Sequence, residues 1–330
     1  MKNVFITGGA GYIGSHCVIS LIKNGYSPII IDNFSNSFKN VIKKLEIITN
    51  KKITFYNIDL RDKKKLKSIF KKHFCHSVIH CAGFKSVGES IKQPNTYFSN
   101  NIGSTLSLIE CMKEYKVYRL IFSSSATVYN DKQSLPLKEK HKTGNTKNPY
   151  GTTKYIIEKI LMDLAKFDSK WSIRIARYFN PISNHSSGLI KENPKDTPNN
   201  LVPYIVKVVQ KKLPFLEIFG KNYKTKDGTG IRDFIHVMDL ADGHVAMIKK
   251  NRLKRGLKVY NFGTGKGSSV LDVIKAFEKQ TGIFVPFKFS KRRKGDTDVS
   301  ICSPKKALNE LDWKAKYNLD QAMADIKKII

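Results

Sequence analysis

A tyrosine and a lysine four residues apart, Tyr150 and Lys154, are the pair in this sequence best suited to moving a proton. They follow Asn148 and Pro149, and an Asn N-cap with Pro at the first helical position predicts that a helix begins here. On such a helix the phenol and the ammonium lie on one face, one turn apart. Apolar residues then recur at helical spacing, at Ile156, Ile157, Ile160, Leu161 and Leu164.

This pair predicts a phenolate base. A free tyrosine has a pKa of about 10 and is a poor base at neutral pH. A nearby ammonium and the positive end of a helix both favour the phenolate, and lowering the pKa by about three units needs about 4 kcal/mol. We therefore expect Tyr150 to take a proton from an alcohol. The alternative is an exposed Tyr and a solvated Lys on an amphipathic helix, and the spacing alone leaves it open.

A glycine-rich turn near the N-terminus predicts a dinucleotide site. A strand at 4–7 leads into the glycines at 8–14, then a helix to about residue 23, then a strand at 29–31 that ends at Asp32. Such a turn lets backbone N–H groups approach a pyrophosphate at a helix N-terminus. Asp32 is placed to accept hydrogen bonds from a ribose, and its charge favours NAD over NADP. The alternative, a glycine-rich turn in an unrelated α/β protein, does not account for the strand, helix and Asp together.

Four more short apolar runs, at 53–57, 77–80, 120–122 and 172–176, predict strands of a parallel sheet covered on both faces. Small or polar residues follow them, at the sheet edge where ligands bind. Ser125 comes after the third of these runs, where its hydroxyl would face the same crevice as Tyr150.

Beyond residue 180 the composition changes to long polar loops at 183–200 and 221–230. We expect a helix at 201–209, an extended segment at 216–219 and a helix at 236–248. A strand at 259–262 would rejoin the sheet, followed by a helix at 270–279, a basic loop at 291–301 and a mostly helical end. The prediction is a Rossmann-type, doubly wound α/β sheet with a smaller α+β substrate domain. The cofactor domain is 1–180 with 235–263 rejoining it, and the substrate domain is 181–234 with 264–330.

Composition sets further bounds. No apolar run approaches the roughly 20 residues of a membrane span. The five scattered cysteines predict free thiols in a reducing compartment, the cytoplasm, and no zinc or other metal site. The formal charge of +32 raises nucleic-acid binding as an alternative. The positive residues are spread along the chain without a basic tail, a helix-turn-helix or an RNA-binding signature, so we expect no dedicated nucleic-acid binding.

Segments in chain order carry a resemblance to a known family. They are TGGAGYIGSH at 7–16, DN at 32–33, AGFKSVGES at 82–90, SSSATVY at 123–129, YGTTK at 150–154, RYFNP at 177–181, PNNL at 198–201 and DGTGIRDFIHV at 227–237. The sequence resembles the extended short-chain dehydrogenases/reductases that act on nucleotide sugars, most closely the bacterial UDP-glucose 4-epimerases. The resemblance extends to about residue 319.

The resemblance implies an NAD-dependent interconversion of UDP-galactose and UDP-glucose through a transient 4-keto sugar. It implies that Tyr150 takes the proton of the 4'-hydroxyl, Ser125 hydrogen-bonds the same oxygen, and Lys154 holds the nicotinamide ribose and lowers the pKa of Tyr150. The implied cofactor-binding residues are Gly8, Gly11, Tyr12, Ile13, Gly14, Asp32, Asn33, Asn36, Asp59, Leu60, Cys81, Ala82, Gly83, Lys85, Asn100, Ser123, Tyr150, Lys154 and Tyr178. The implied substrate-binding residues are Ser125, Tyr150, Asn180, Asn200, Leu201, Phe219, Arg232, Arg293, Asp296 and Ser300. It also implies a homodimer.

This sequence departs from the family pattern at several positions. Phe234 stands where a tyrosine is frequent, and Gly103 where an asparagine is frequent. Ser300 stands where some relatives carry a tyrosine, which predicts a larger sugar pocket that also accepts N-acetylated sugars. A 4,6-dehydratase on the same scaffold needs an extra acid–base pair, and residues 125–127 hold no carboxylate. A cofactor-binding regulator without catalysis would be expected to lack Tyr150 or Lys154.

Overall fold

A computed structural model describes residues 1–130, 133–193, 198, 200–250, 255–293 and 296–330. Its strands are β1 (Lys2–Thr7), β2 (Tyr26–Asp32), β3 (Thr54–Asn57), β4 (Ser77–His80), β5 (Arg119–Ser125), β6 (Ser172–Tyr178), β7 (Asn180–Ile182), β8 (Leu216–Phe219), β9 (Ile231–Arg232), β10 (Phe234–His236), β11 (Gly256–Phe262), β12 (Ser268–Ser269), β13 (Phe287–Ser290) and β14 (Val299–Ser300). Its α-helices are α1 (Tyr12–Lys23), α2 (Asn40–Thr49), α3 (Lys63–Lys72), α4 (Val87–Lys92), α5 (Pro94–Tyr97), α6 (Gly103–Glu114), α7 (Pro149–Phe167), α8 (Leu201–Val209), α9 (Val237–Lys250), α10 (Val270–Thr281), α11 (Lys305–Leu311) and α12 (Leu319–Ile326).

A seven-stranded parallel sheet in the order β11-β6-β5-β4-β1-β2-β3 is the centre of the molecule. Its strands are apolar on both faces because helices cover both. Along β1, Val4 and Ile6 point into a core shared with α1, α2 and α9. Phe5 points into a second core shared with α3, α6 and α7. This alternation of side chains along each strand builds two core layers, and the predicted doubly wound fold is confirmed.

A smaller region stands beside the carboxyl ends of the strands. It holds the pair β7-β10, the pair β8-β13 and the three-stranded sheet β12-β9-β14. A third core joins α8, α10 and α12 over β8. Helix α10 begins with a capping box in which Ser269 and Asp272 satisfy each other's backbone N–H groups.

The structure differs from the sequence prediction in the bounds of two strands. Strand β5 runs through Ser125, so the three serines lie within the strand rather than after it. The basic loop predicted at 291–301 ends in β14, a strand of two residues whose pairing depends on a distant partner, β9. None of the described helices is both long enough and apolar enough to span a bilayer. All five cysteines are free thiols.

Candidate active site

An open cavity lies at the carboxyl edge of the sheet, between the glycine turn and α7. Every residue predicted to bind the cofactor lines it, from Gly8 in the turn to Tyr178 at the end of β6. Sequence reasoning did not single out several other lining residues: Ile31, Ser35, Ser37, Ile58, Phe84, Ser104, Ser124, Glu192 and Asn193.

The glycine turn brings backbone against backbone at two positions. Gly8 has a φ of +67°, and a Cβ there would stand 2.7 Å from the nitrogen of Ala82. A Cβ on Gly14 would stand 2.2 Å from the carbonyl oxygen of Gly8. The first turn of α1 has no side-chain cap, so its N–H groups face an approaching anion. The turn therefore fits a pyrophosphate.

Asp32 is fixed at the end of β2, next to the glycine turn. Its carboxylate accepts hydrogen bonds from the N–H of Ala10 at 2.9 Å, the N–H of Phe34 at 2.8 Å and the hydroxyl of Ser37 at 3.0 Å. Since a carboxylate has about four lone-pair sites, it can accept a further donor such as a ribose hydroxyl. This geometry fits a dinucleotide without a 2'-phosphate.

Tyr150 and Lys154 lie on the first turns of α7, as their spacing predicts. Asn148 caps the helix by accepting from the N–H of Gly151 at 2.8 Å, and Pro149 occupies the first turn. Ser125 lies within hydrogen-bonding reach of Tyr150. Both Tyr150 and Lys154 line the cavity, so a phenol and an ammonium converge on one place, and the hydroxyl of Ser125 lies beside the phenol.

The predicted low pKa of Tyr150 is not found in the chain itself. Burial raises the pKa of Tyr150, while the hydrogen bond with Ser125 and the charge of Lys85 lower it by less. The ammonium of Lys154 donates to the carbonyl of Ser123 at 2.7 Å. Burial also lowers the pKa of Lys154 to about 8. Phenolate therefore needs a further positive charge in the cavity.

A buried ion pair that sequence reasoning missed anchors α7 to the sheet. Arg177 on β6 donates to Glu158 through Nη2 at 2.6 Å and Nε at 3.0 Å, and Ser124 donates to the same carboxylate at 2.5 Å. Both charged side chains are almost fully buried, at 2% and 1% exposure. The signal in the sequence was the position of Glu158, one turn beyond Lys154 on the same face.

Asn101 provides a second anchor that the sequence analysis missed. It lies in a π-helical turn, Phe98–Ile102, and its side chain is buried. Its amide oxygen accepts from the N–H of Phe84 at 2.8 Å, and its amide nitrogen donates to Thr153 at 3.0 Å. The loop that carries Gly83 and Lys85 is thereby tied to α7.

Four of the predicted substrate-binding residues form a basic cluster: Phe219, Arg232, Arg293 and Asp296. The guanidinium of Arg293 stacks 3.8 Å above the ring of Phe219. Arg232 Nη2 lies 3.7 Å from Asp296 Oδ1, and burial lowers the pKa of Arg232. A half-buried guanidinium with a carboxylate at this longer distance is well suited to a bound anion. Ser300 lies beside Arg232, its register partner across β9 and β14.

The remaining predicted substrate residues lie elsewhere. Asn180 begins β7 and donates its N–H to the carbonyl of Asp233 at 2.9 Å. Asn200 precedes α8, which begins at Leu201, and it donates to Glu192 at 2.7 Å. Glu192 also pairs with Lys85, so these side chains bridge the cavity wall and α8.

Comparisons with known proteins agree with this geometry. The model of the NAD dependent epimerase/dehydratase family matches residues 4–263. A UDP-glucose 4-epimerase of Dictyostelium discoideum is 49% identical over 326 residues, covering 98% of this chain and 94% of that protein. The chain belongs to the UDP-glucose 4-epimerases of this family. The family model ends just after β11, whereas the match to the relative covers 98% of the chain. The large sheet and the smaller region are therefore both shared with that relative.

Two solved structures have the same fold as this epimerase-family chain. The UDP-glucose 4-epimerase of Bifidobacterium longum in complex with NAD⁺ and UDP has a TM-score of 0.96 and 45% identity, covering 99% of this chain and 98% of that one. The enzyme of Stenotrophomonas maltophila, with bound NAD and formylated UDP-arabinopyranose, has a TM-score of 0.97 and 42% identity, covering 100% and 98%.

Proposed function

We propose that this chain is an NAD-dependent epimerase that interconverts UDP-galactose and UDP-glucose by transient oxidation at C4'. The observation that carries the proposal is that Lys154 and Tyr150, with Ser125 beside its phenol, line a cavity that fits a dinucleotide. The same chain holds the basic cluster around Arg232. Relatives that share the whole chain are UDP-glucose 4-epimerases, and one is solved with NAD⁺ and UDP.

The chain's own residues handle the proton. Tyr150 accepts the proton of the sugar 4'-hydroxyl and later returns it, while Ser125 hydrogen-bonds the same oxygen. The ammonium of Lys154 has three N–H donors and uses one on Ser123, so two remain for a ribose. Bound NAD⁺ supplies the hydride acceptor and donor, together with the positive charge that favours phenolate.

The basic cluster holds the part of the substrate that does not react. Arg232 and Arg293 are suited to a diphosphate because a guanidinium makes bidentate contacts with phosphate oxygens. Phe219 offers a ring face beside them. If the binding energy comes from the nucleotide, the uncharged 4-keto sugar is free to turn and present its other face.

The test is incubation of the purified protein with UDP-galactose, following formation of UDP-glucose first without and then with added NAD. Absence of product with NAD supplied would overturn the proposal. Replacing Tyr150 by Phe removes the acid–base group and is expected to lower turnover by a factor of about 10² to 10⁴. Tyr155→Phe, on the same helix, is the matched control and is expected to keep parental turnover.

We propose in addition that the enzyme accepts UDP-N-acetylhexosamines. Ser300 is a small side chain beside Arg232, where a tyrosine would occupy space near the sugar. UDP-GlcNAc turnover is the measurement, and its absence in the parent protein would refute the proposal. Ser300→Tyr is expected to reduce UDP-GlcNAc turnover more than UDP-glucose turnover.

We propose that 1–180 with 235–263 bind the cofactor and that 181–234 with 264–330 bind the UDP-sugar. We also propose a cytoplasmic homodimer. The free thiols are typical of a reducing compartment. Val87, Ile91 and Leu106 are exposed apolar side chains on α4 and α6, consistent with a covered interface. Light scattering should give a dimer for the parent and a monomer for Leu106→Lys.

A further inference from the structure

Two thiols and an imidazole from distant parts of the chain meet beneath the cofactor cavity. Cys17 lies on α1, Cys81 follows β4 and His244 lies on α9. One ligand atom from each lies within 4.8 Å of the other two. Cys17 and His244 are fully buried, and Cys81 lines the cavity. The cysteine spacing predicted no zinc site, and only the folded chain brings these groups together.

The hydrogen bonds of His244 orient its ring as in a metal ligand. Nδ1 lies 2.8 Å from the carbonyl oxygen of Leu240, which can only accept, so Nδ1 carries the proton. Nε2 then carries a lone pair instead of a proton, and it accepts a hydrogen bond from the hydroxyl of Tyr178 at 2.6 Å. Metal-bound histidines are typically held in this way, with the second ring nitrogen donating to a carbonyl or carboxylate.

We propose that Cys17 Sγ, Cys81 Sγ and His244 Nε2 bind one thiophilic divalent ion such as Zn²⁺ or Cd²⁺. Two thiolates and an imidazole are the ligands that zinc prefers, and tetrahedral coordination sets sulfur atoms about 3.8 Å apart. The present spacing of at most 4.8 Å needs a contraction of about 1 Å. The hydroxyl of Tyr178 occupies the lone pair of Nε2, so it would move aside when the ion binds.

The ion would enter this site from the cavity, and its binding would affect the side chains that line the cavity. An ion reaches Cys81 from the cavity, since Cys81 is the ligand that lines it. Ser123 Oγ lies 3.1 Å from the sulfur of Cys81 and 2.5 Å from the hydroxyl of Tyr178, so coordination would move side chains that line the cavity. This step rests on the proposed function: the ion acts as an inhibitor that competes with the dinucleotide.

The experiment titrates Cd²⁺ into reduced, metal-free protein and follows the ultraviolet absorption that appears when thiolates bind cadmium. The parent is expected to bind one ion. Both Cys17→Ala and Cys17→Ser are expected to bind it at least about tenfold more weakly. Cys75→Ala, which removes a buried thiol outside the cluster, is the matched control and should bind like the parent. Thermal unfolding checks that each variant is folded.

Absence of the cadmium absorption in the parent, or equal affinity in the folded Cys17 variants, would overturn the proposal. This readout uses no sugar substrate, so it is independent of epimerase turnover. In the enzymatic arm, Zn²⁺ should inhibit the parent more strongly than Cys17→Ala, and prior NAD should weaken the inhibition. Equal inhibition of the parent and the variant would overturn the inhibitory role.

Discussion

Glu158→Gln tests whether the buried ion pair holds α7 in place. The substitution removes the charge that compensates Arg177, whose guanidinium is 2% exposed. Leaving one partner of a buried pair uncompensated costs about 3 to 5 kcal/mol. With about 2.1 cal/mol/K of unfolding entropy per residue, 330 residues give about 0.7 kcal/mol/K. We therefore expect Tm to fall by about 4 to 7 °C.

The exposed pair of Lys67 and Glu114 supplies the control, with a similar distance of 2.7 Å but side-chain exposures of 44% and 47%. Glu114→Gln should change the free energy of unfolding much less than Glu158→Gln does, because solvent screens an exposed pair. Urea unfolding measures both variants. If Glu158→Gln is no less stable than Glu114→Gln, the anchoring role of the pair is refuted. Replacing Glu158 and Arg177 together by methionine should recover part of the lost stability.

Three further predictions concern the cavity and the basic cluster. Gly14→Ala should abolish NAD binding, measured by calorimetry, because its Cβ would stand 2.2 Å from a carbonyl oxygen. The control is Gly88→Ala, whose Cβ would meet nothing within 4 Å, and this variant should bind NAD like the parent. Because burial raises the pKa of Tyr150 and Lys85 lowers it, kcat should rise with pH above neutrality, and Lys85→Met should move that rise to higher pH; an unmoved profile would contradict this. Arg232→Met should raise KM for UDP-galactose about tenfold to a hundredfold, through loss of charged hydrogen bonds, and change kcat less.

The sequence predicted those features that local patterns determine. The large sheet follows from continuous apolar runs, and the start of α7 follows from Asn148 and Pro149. The glycine turn and Asp32 were recognisable because their roles depend on short spacings around one strand–helix connection. The cavity collects them because the carboxyl ends of parallel strands meet at one edge of the sheet.

Features that depend on distant partners were not predictable. The two-residue strands β9, β12 and β14 pair across long sequence separations, with no periodicity to reveal them. The pKa of Tyr150 depends on its burial and on the positions of Ser125 and Lys85, and none of these is encoded in a four-residue spacing. The meeting of Cys17, Cys81 and His244 likewise needs three separate elements to be folded.

The position of β11 at the outer edge of the sheet has a consequence for the synthesis of the chain. Every residue of β6 is buried in the finished molecule, between β5 on one side and β11 on the other. A growing chain reaches β11 only after the whole of 181–234 and α9. Until then, β6 presents an unpaired apolar edge of the kind that recruits other chains. Products that end before residue 256 should therefore aggregate, even though they contain the entire glycine turn and both Tyr150 and Lys154.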